Sequence, residues 1–153
     1  MMFKTHLVFS LFIGLILIKI LDTKNQILFL IFLLFFSVFP DIDEKTSKVS
    51  KKIKILSYPI NFIFRHRGFF HTIYFPLILF LLFFMINEKI LGIAILMGYL
   101  SHLFLDSLTV SGIKIFKPVL KLRFYGFFKV GKFFDYFLFL LFLILDIYLI
   151  INL

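Results

Sequence analysis

The chain contains four histidines, His6, His66, His71 and His102, and only eight carboxylates. His102 and Asp106 are spaced i and i+4, one helical turn apart on a common face. Asp41 and Asp43 flank Ile42 directly after Pro40, a turn that carries two neighbouring carboxylates. His66 and His71 are five apart, a spacing that does not share a helix face. Arg67-Gly68 between them reads as a loop, with His66 folding back over a helix that begins near Phe69. Imidazole together with carboxylate suits Zn, Mn or Fe, and a carboxylate can bridge two ions. Each residue also has a plain reading. An interfacial His is often just an amphipathic side chain, His102–Asp106 can be a structural pair, and Asp41 and Asp43 can cap a helix. What points to a divalent metal, one or two ions with Zn foremost, is that all of them fall at one level of the chain's topology.

That topology follows from hydrophobic runs. Of 153 residues, 62% are hydrophobic and 26 are Phe, well above the roughly 45–50% of soluble domains. Mean hydropathy is +1.10. An ordinary soluble domain and a disordered chain are excluded, and the absence of Cys excludes a disulfide-stapled module. The runs are Leu7–Leu21, Ile27–Phe39, Phe69–Ile86, Ile90–Leu105 and Phe133–Ile151. A spanning helix needs about 20 residues for about 30 Å of hydrocarbon. The third and fifth runs satisfy that comfortably, the fourth does if it extends to about Leu108, and the first two are short. The expected fold is an all-α, polytopic membrane helix bundle of about five transmembrane helices, with residues 1–153 as one domain. Three spans plus a shallow hairpin is the alternative. No small-residue cleavage site follows the first run, so it reads as a retained helix and not a signal peptide.

Charge orients the bundle. Five spans put the N-terminus, loop 40–68 and loop 109–132 on one side, which then carries 14 of the 17 Lys and Arg; Lys19, Lys24 and Lys89 lie on the other. The rich side is expected to be cytoplasmic, giving a multi-pass cytoplasmic-membrane protein with its N-terminus inside. All four histidines, Asp41, Asp43 and Asp106 fall at that same face, and ionisable groups at such depth are functional by default. Beside membrane spans, the basic surplus suits anionic lipid headgroups better than nucleic acid. Residues 44–67, with apolar positions interleaved among Lys51, Lys52 and Lys54, resemble a short amphipathic surface helix that Pro59 bends. Phe124, Tyr125, Phe127 and Phe128 are expected to dip into the interface. Five short helices bury little among themselves, so a homodimer is compatible with the sequence.

Two further acids lie eleven apart in the last run, Asp135 and Asp146. Counted at about 1.5 Å per residue, Asp146 and Lys19 reach similar depths, which predicts a Lys19–Asp146 ion pair. Asp135 is expected near the metal layer, or paired with Lys132.

At the chemistry-bearing residues the chain resembles the YdjM-like inner-membrane proteins, described as membrane-bound metal-dependent hydrolases. The matching blocks are Thr5-His6, Pro40-Asp41-Ile42-Asp43, His66-Arg67-Gly68-Phe69-Phe70-His71-Thr72, and Gly98 through Thr109 continuing to Gly112 and Pro118. Four blocks in order are more specific than any one of them. Phe70 stands where the family often has a hydroxyl residue, and Glu44 where it often has His. The resemblance implies a hydrolase. On that reading His6, Asp43, His71, His102 and Asp106 hold the metal, which generates a hydroxide near neutral pH. Asp41 or His66 serves as general base or outer ligand, and Arg67 neutralises an anionic group such as phosphate. A site at the headgroup layer favours an amphiphilic, lipid-like substrate, with a phosphoester as the leading case. The rival readings are a noncatalytic membrane adaptor with a structural metal, and a metal-ion transporter.

Overall fold

The computed structural model describes residues 1–43 and 69–152, with Ile42, Asp43 and Phe69 as backbone only. Among these residues there are five α-helices: α1 (Phe3–Leu21), α2 (Gln26–Val38), α3 (Tyr74–Met85), α4 (Lys89–Ser107) and α5 (Phe133–Ile151). Two short 3₁₀ turns, Phe39–Asp43 and Phe69–His71, follow α2 and precede α3. The described residues form no strand, only isolated bridges between Thr109 and Phe128 and between Ile113 and Phe124.

Contacts along the helices define their directions. Thr5 Oγ1 donates to Asp135 at the start of α5 (2.7 Å), and Lys19 Nζ donates to the Asn152 carbonyl just past its end (2.9 Å). The first and last helices therefore run parallel. α4 runs against both, since Ser10 hydrogen-bonds Ser101 and His6 stacks on His102. α2 runs with α4: Leu33 lies against Gly98, and one turn on, Ser37 meets His102. α3 opposes α4, with Phe75 at Tyr99 and Phe80 and Phe83 at Gly92. Successive helices thus alternate. The N-terminus, both 3₁₀ turns and loop 109–132 collect at one end of the bundle.

The tightest seam joins α2 to α4. A Cβ built on Gly98 would lie 2.2 Å from the Leu33 carbonyl oxygen, so the two backbones are in direct contact. Small residues permit this approach between membrane helices, where packing replaces hydrophobic drive. Ile18, Phe29, Leu33 and Ala94 form one core cluster towards the far end. Tyr99, Leu103 and Ile113 form another near the 3₁₀ turns.

α5 reverses the polarity of a soluble helix. Its buried residues are Asp135 and Asp146, while Phe137, Leu140, Ile144, Ile147 and Ile151 are exposed. Carboxylates turned inward and hydrocarbon turned outward is the arrangement a bilayer selects, because an outward acid would face lipid. α1, α4 and α5, 19 residues each, are long and apolar enough to cross a membrane. The helical membrane-bundle architecture expected from the runs is the one observed.

Several local expectations change. The first run, expected to be short, gives a 19-residue helix because Phe3, Lys4, Thr5 and His6 join it, the last two facing inward. The third run was expected to span comfortably, but its α-helix has 12 residues, about 18 Å. Pro76 accounts for the late start: it sits in the helix's first turn, the position where a proline costs least because no N–H is needed there. Lys19 does not pair with Asp146, since its ammonium turns to Asn152. Nor does Asp135 pair with Lys132; it accepts instead from Thr5 and from the backbone N–H groups of Met2 and Gly131. The expected surface helix of 44–67 lies outside the described residues.

Candidate metal centre

Each described donor is delivered by a different piece of local structure. His6 lies on the inward face of α1's first turns and is buried. α1 begins with no side-chain cap of its own. Asp135 holds it instead, accepting from Thr5 Oγ1 (2.7 Å) and from the Met2 N–H (3.0 Å). Asp41 sits on the 3₁₀ turn that Pro40 helps to set at the end of α2. His71 ends the second 3₁₀ turn. An aromatic cluster ties both turns to the bundle: Phe39 stacks on Phe75 (5.7 Å between ring centres), and Phe70 and Tyr99 pack on Phe75's other sides. The Tyr99 hydroxyl also donates to the Phe70 carbonyl, next to His71.

These donors converge on His102. The His6 and His102 rings stack with centres 4.1 Å apart, and His71 approaches edge-on at 5.7 Å. His102 Nε2 lies 3.6 Å from Asp106 Oδ2 and 3.7 Å from Asp41 Oδ1. His6 Nε2 lies 3.4 Å from Asp106 Oδ1, which also accepts from the Met1 amino group at 2.8 Å. Two donor triads result, His6–His102–Asp106 and Asp41–His71–His102, each with its ligand atoms within 4.8 Å of one another.

The spacing fits a small divalent cation. Ligands about 2.1 Å from a tetrahedral centre stand roughly 3.4 Å apart, close to the separations from 3.4 to 3.7 Å found here. Protonation fits as well. His102 Nδ1 is 2.8 Å from the Ser37 carbonyl. A carbonyl can only accept, so Nδ1 carries a proton, which leaves Nε2 as the ring nitrogen available to a cation. His6 Nδ1 and His102 Nε2 are buried with no hydrogen-bond partner among the described residues. Buried polar atoms are normally satisfied, and metal ligation is one standard way for a buried imidazole nitrogen to be so.

Of the residues singled out by type and spacing, the fold brings together His6, His71, His102, Asp106 and Asp41. Asp41, expected as a base or outer ligand, stands as close to His102 Nε2 as Asp106 does. The side chain of Asp43, and His66 and Arg67 entirely, lie outside the described residues. Two supports carry no signal in the motifs. The Ser37 carbonyl is backbone, which any residue type supplies. The Thr5–Asp135 bond joins positions 130 apart, and only the parallel packing of α1 and α5 reveals it.

A family model described as YdjM inner membrane protein matches residues 1–152. The uncharacterized protein YvsG of Bacillus subtilis (strain 168) is 36% identical over 99 residues, 63% of this chain and 62% of that protein. Inner membrane protein YdjM of Escherichia coli (strain K12) is 33% identical over 87 residues, 52% of this chain and 43% of that protein. The protein of the same name from Shigella flexneri gives the same figures. The chain therefore spans between 43 and 62% of the length of these curated relatives. No solved structure matches.

Proposed function

Because this chain belongs to the YdjM inner membrane protein family, we propose that it is a membrane-bound, metal-dependent hydrolase acting on an amphiphilic substrate, with a lipid phosphoester the first class to test. Membership of the family and three long apolar helices support its membrane location. The multi-pass arrangement with a cytoplasmic N-terminus rests on the alternating helices and on the split of 14 cations against three.

The observation that carries the reading is the convergence of two His/Asp triads on one buried nitrogen, His102 Nε2. His6, Asp41, His71, His102 and Asp106 would hold the cation. A bound divalent cation supplies Lewis acidity, towards water and towards the scissile group. The chain's own residues do the rest. Ser37 keeps the His102 proton on Nδ1. Asp135 and Thr5 hold the helix start that aims His6. Asp41 is the more accessible of the two described carboxylate donors, its side chain 13% exposed against 6% for Asp106, which supports an approach of water and substrate from its side. Arg67 is assigned to a substrate's negative charge and His66 to a proton-relay or outer-ligand role, both from their places in the motif. The centre sits at the end of the bundle, where an amphiphile keeps its tail in the bilayer and presents its polar bond.

The test is elemental analysis of detergent-purified protein beside His102→Ala. One or two equivalents of metal in the wild type, lost in the variant, are expected, followed by turnover of a lipid phosphoester with that metal. Protein that takes up neither Zn, Mn nor Fe overturns the reading. Ion passage draws support from one observation, the buried Asp146 carboxylate in the other half of the bundle, which has no hydrogen-bond partner among the described residues. Metal flux into vesicles that Asp146→Leu abolishes would favour it over hydrolysis.

A further inference from the structure

Loop 109–132 is too apolar for a solvated connection and too charged for a buried one. Between Ser107 and Phe134 the chain has no acidic residue and six cations: Lys114, Lys117, Lys121, Arg123, Lys129 and Lys132. All six side chains are exposed. Large apolar side chains are exposed among them, including Val119 (72%), Tyr125 (71%) and Phe127 (75%). In water this pattern would be unstable, since exposed aromatic surface gathers and collapses.

The loop is nevertheless held in shape. Ile113 and Phe124 exchange both backbone hydrogen bonds, at 2.8 and 2.9 Å. Val110 donates to the Phe128 carbonyl (3.0 Å), Phe128 to the Leu108 carbonyl (3.1 Å) and Gly126 to the Thr109 carbonyl (3.1 Å). Arg123 donates from its guanidinium to the Ser111 carbonyl. Gly112 has φ +57°, and a Cβ there would lie 2.3 Å from the Phe124 carbonyl oxygen, so this pairing requires glycine.

The fastenings also join the loop to the candidate metal centre. The Thr109 hydroxyl donates to the Asp106 carbonyl (2.8 Å). On the other side Ile73, two residues after His71, donates its N–H to the Ile115 carbonyl (3.0 Å).

We infer that loop 109–132 is a preformed platform that lies in the headgroup layer and binds anionic phospholipid. Its aromatic and aliphatic side chains enter the acyl boundary, and its lysines pair with lipid phosphates. Charge complementarity selects the occupant: six cations without an acid face a leaflet rich in negative headgroups, and the exposed rings need hydrocarbon, which a nucleic acid backbone does not offer. Because the platform is hydrogen-bonded to residues beside His71 and Asp106, it concentrates anionic lipid next to those donors. The inference rests on the membrane location and not on the metal.

The chain has no tryptophan, so Phe127→Trp introduces a single indole reporter into the full-length protein. Reconstituted into vesicles, its fluorescence should be quenched by phospholipid brominated on the acyl chains. Brominated phosphatidylglycerol should quench at lower mole fraction than brominated phosphatidylcholine, with a preference of about fivefold or more, the scale of one lysine at an anionic surface. The combined Lys117→Gln, Lys121→Gln and Lys129→Gln variant should lose that preference and keep the quenching. Absence of quenching in both lipids would place the loop in water and overturn the inference. Equal quenching by both lipids in the unmodified background would overturn its charge recognition. Displacement of the lipid preference by a short oligonucleotide or by inorganic phosphate would do the same, by showing a soluble anion as the ligand. Metal content measured on the same samples keeps this result separate from that of the metal centre.

Discussion

Gly98→Ala is the most informative single methyl group in this protein. The added Cβ would stand 2.2 Å from the Leu33 carbonyl oxygen, with the Leu33 carbonyl carbon and Cα at 3.0 and 3.1 Å. All three atoms are backbone, so no rotamer change relieves the clash. Carbon–oxygen contacts settle at roughly 3.3 Å, and α2 and α4 must therefore separate by about 1 Å. One turn along the same seam, the Ser37 carbonyl holds His102 Nδ1 at 2.8 Å. Carried to that level, the separation stretches the bond to about 3.8 Å, beyond hydrogen-bond range. Two consequences are expected. Overpacking lowers stability by about 1–3 kcal/mol, and if His102 ligates a metal as proposed, loss of the group that orients it weakens metal affinity by about 10–100-fold. Thermal unfolding in detergent reads the first, and titration against a competing chelator reads the second. Gly14→Ala is the control. Its Cβ would meet the Leu30 Cδ2 atom at 2.8 Å, the far end of a flexible side chain that can turn away, so affinity should stay within about twofold. Wild-type metal affinity in a destabilised Gly98→Ala protein would refute the coupling between seam and site. Wild-type values of both quantities would refute the contact itself.

Asp135→Asn should cost about 1.5–3 kcal/mol in thermal unfolding, because hydrogen bonds from Thr5, Met2 and Gly131 lose a charged acceptor; metal content should fall with it, since Thr5 adjoins His6. Asp146→Leu should be neutral or stabilising by up to about 3 kcal/mol, because it removes a buried carboxylate with no partner among the described residues, and a clear loss of stability in the same unfolding assay would reveal a partner. Tyr99→Phe should cost about 1 kcal/mol in unfolding and lower metal affinity, since its hydroxyl holds the Phe70 carbonyl beside His71; unchanged affinity would detach that turn from the centre.

Much of the candidate site is legible from residue types because its ingredients are local. His102 and Asp106 share a face by helical period alone, and the structure keeps them within 3.6 Å of each other. His6, Asp41 and His71 can be assigned to one end of the bundle by counting apolar runs and alternating direction. Their mutual distances cannot be assigned in that way, since those depend on how four separate segments cross. Lys19 and Asp146 show where counting fails. Their depths match along two helices, but depth says nothing of rotation, and Lys19 turns to a backbone carbonyl at the end of α5. The length of α3 departs from that of its apolar run for a local reason, because Pro76 delays the helix start inside a segment that is apolar throughout.

By itself the sequence determined the class of molecule and the roster of candidate donors: apolar runs too long and too numerous for water, and a small set of imidazoles and carboxylates set among them. Those properties are summed along the chain, so no knowledge of packing is needed to read them. Only the tertiary structure decided that the donors meet around His102 Nε2, that the Ser37 carbonyl fixes which nitrogen faces inward, and that Asp135 clasps the far N-terminus. Each of these depends on helix rotation and on contacts between residues up to 133 apart. Such contacts arise from the mutual fit of surfaces like the Gly98–Leu33 seam, which no single segment specifies.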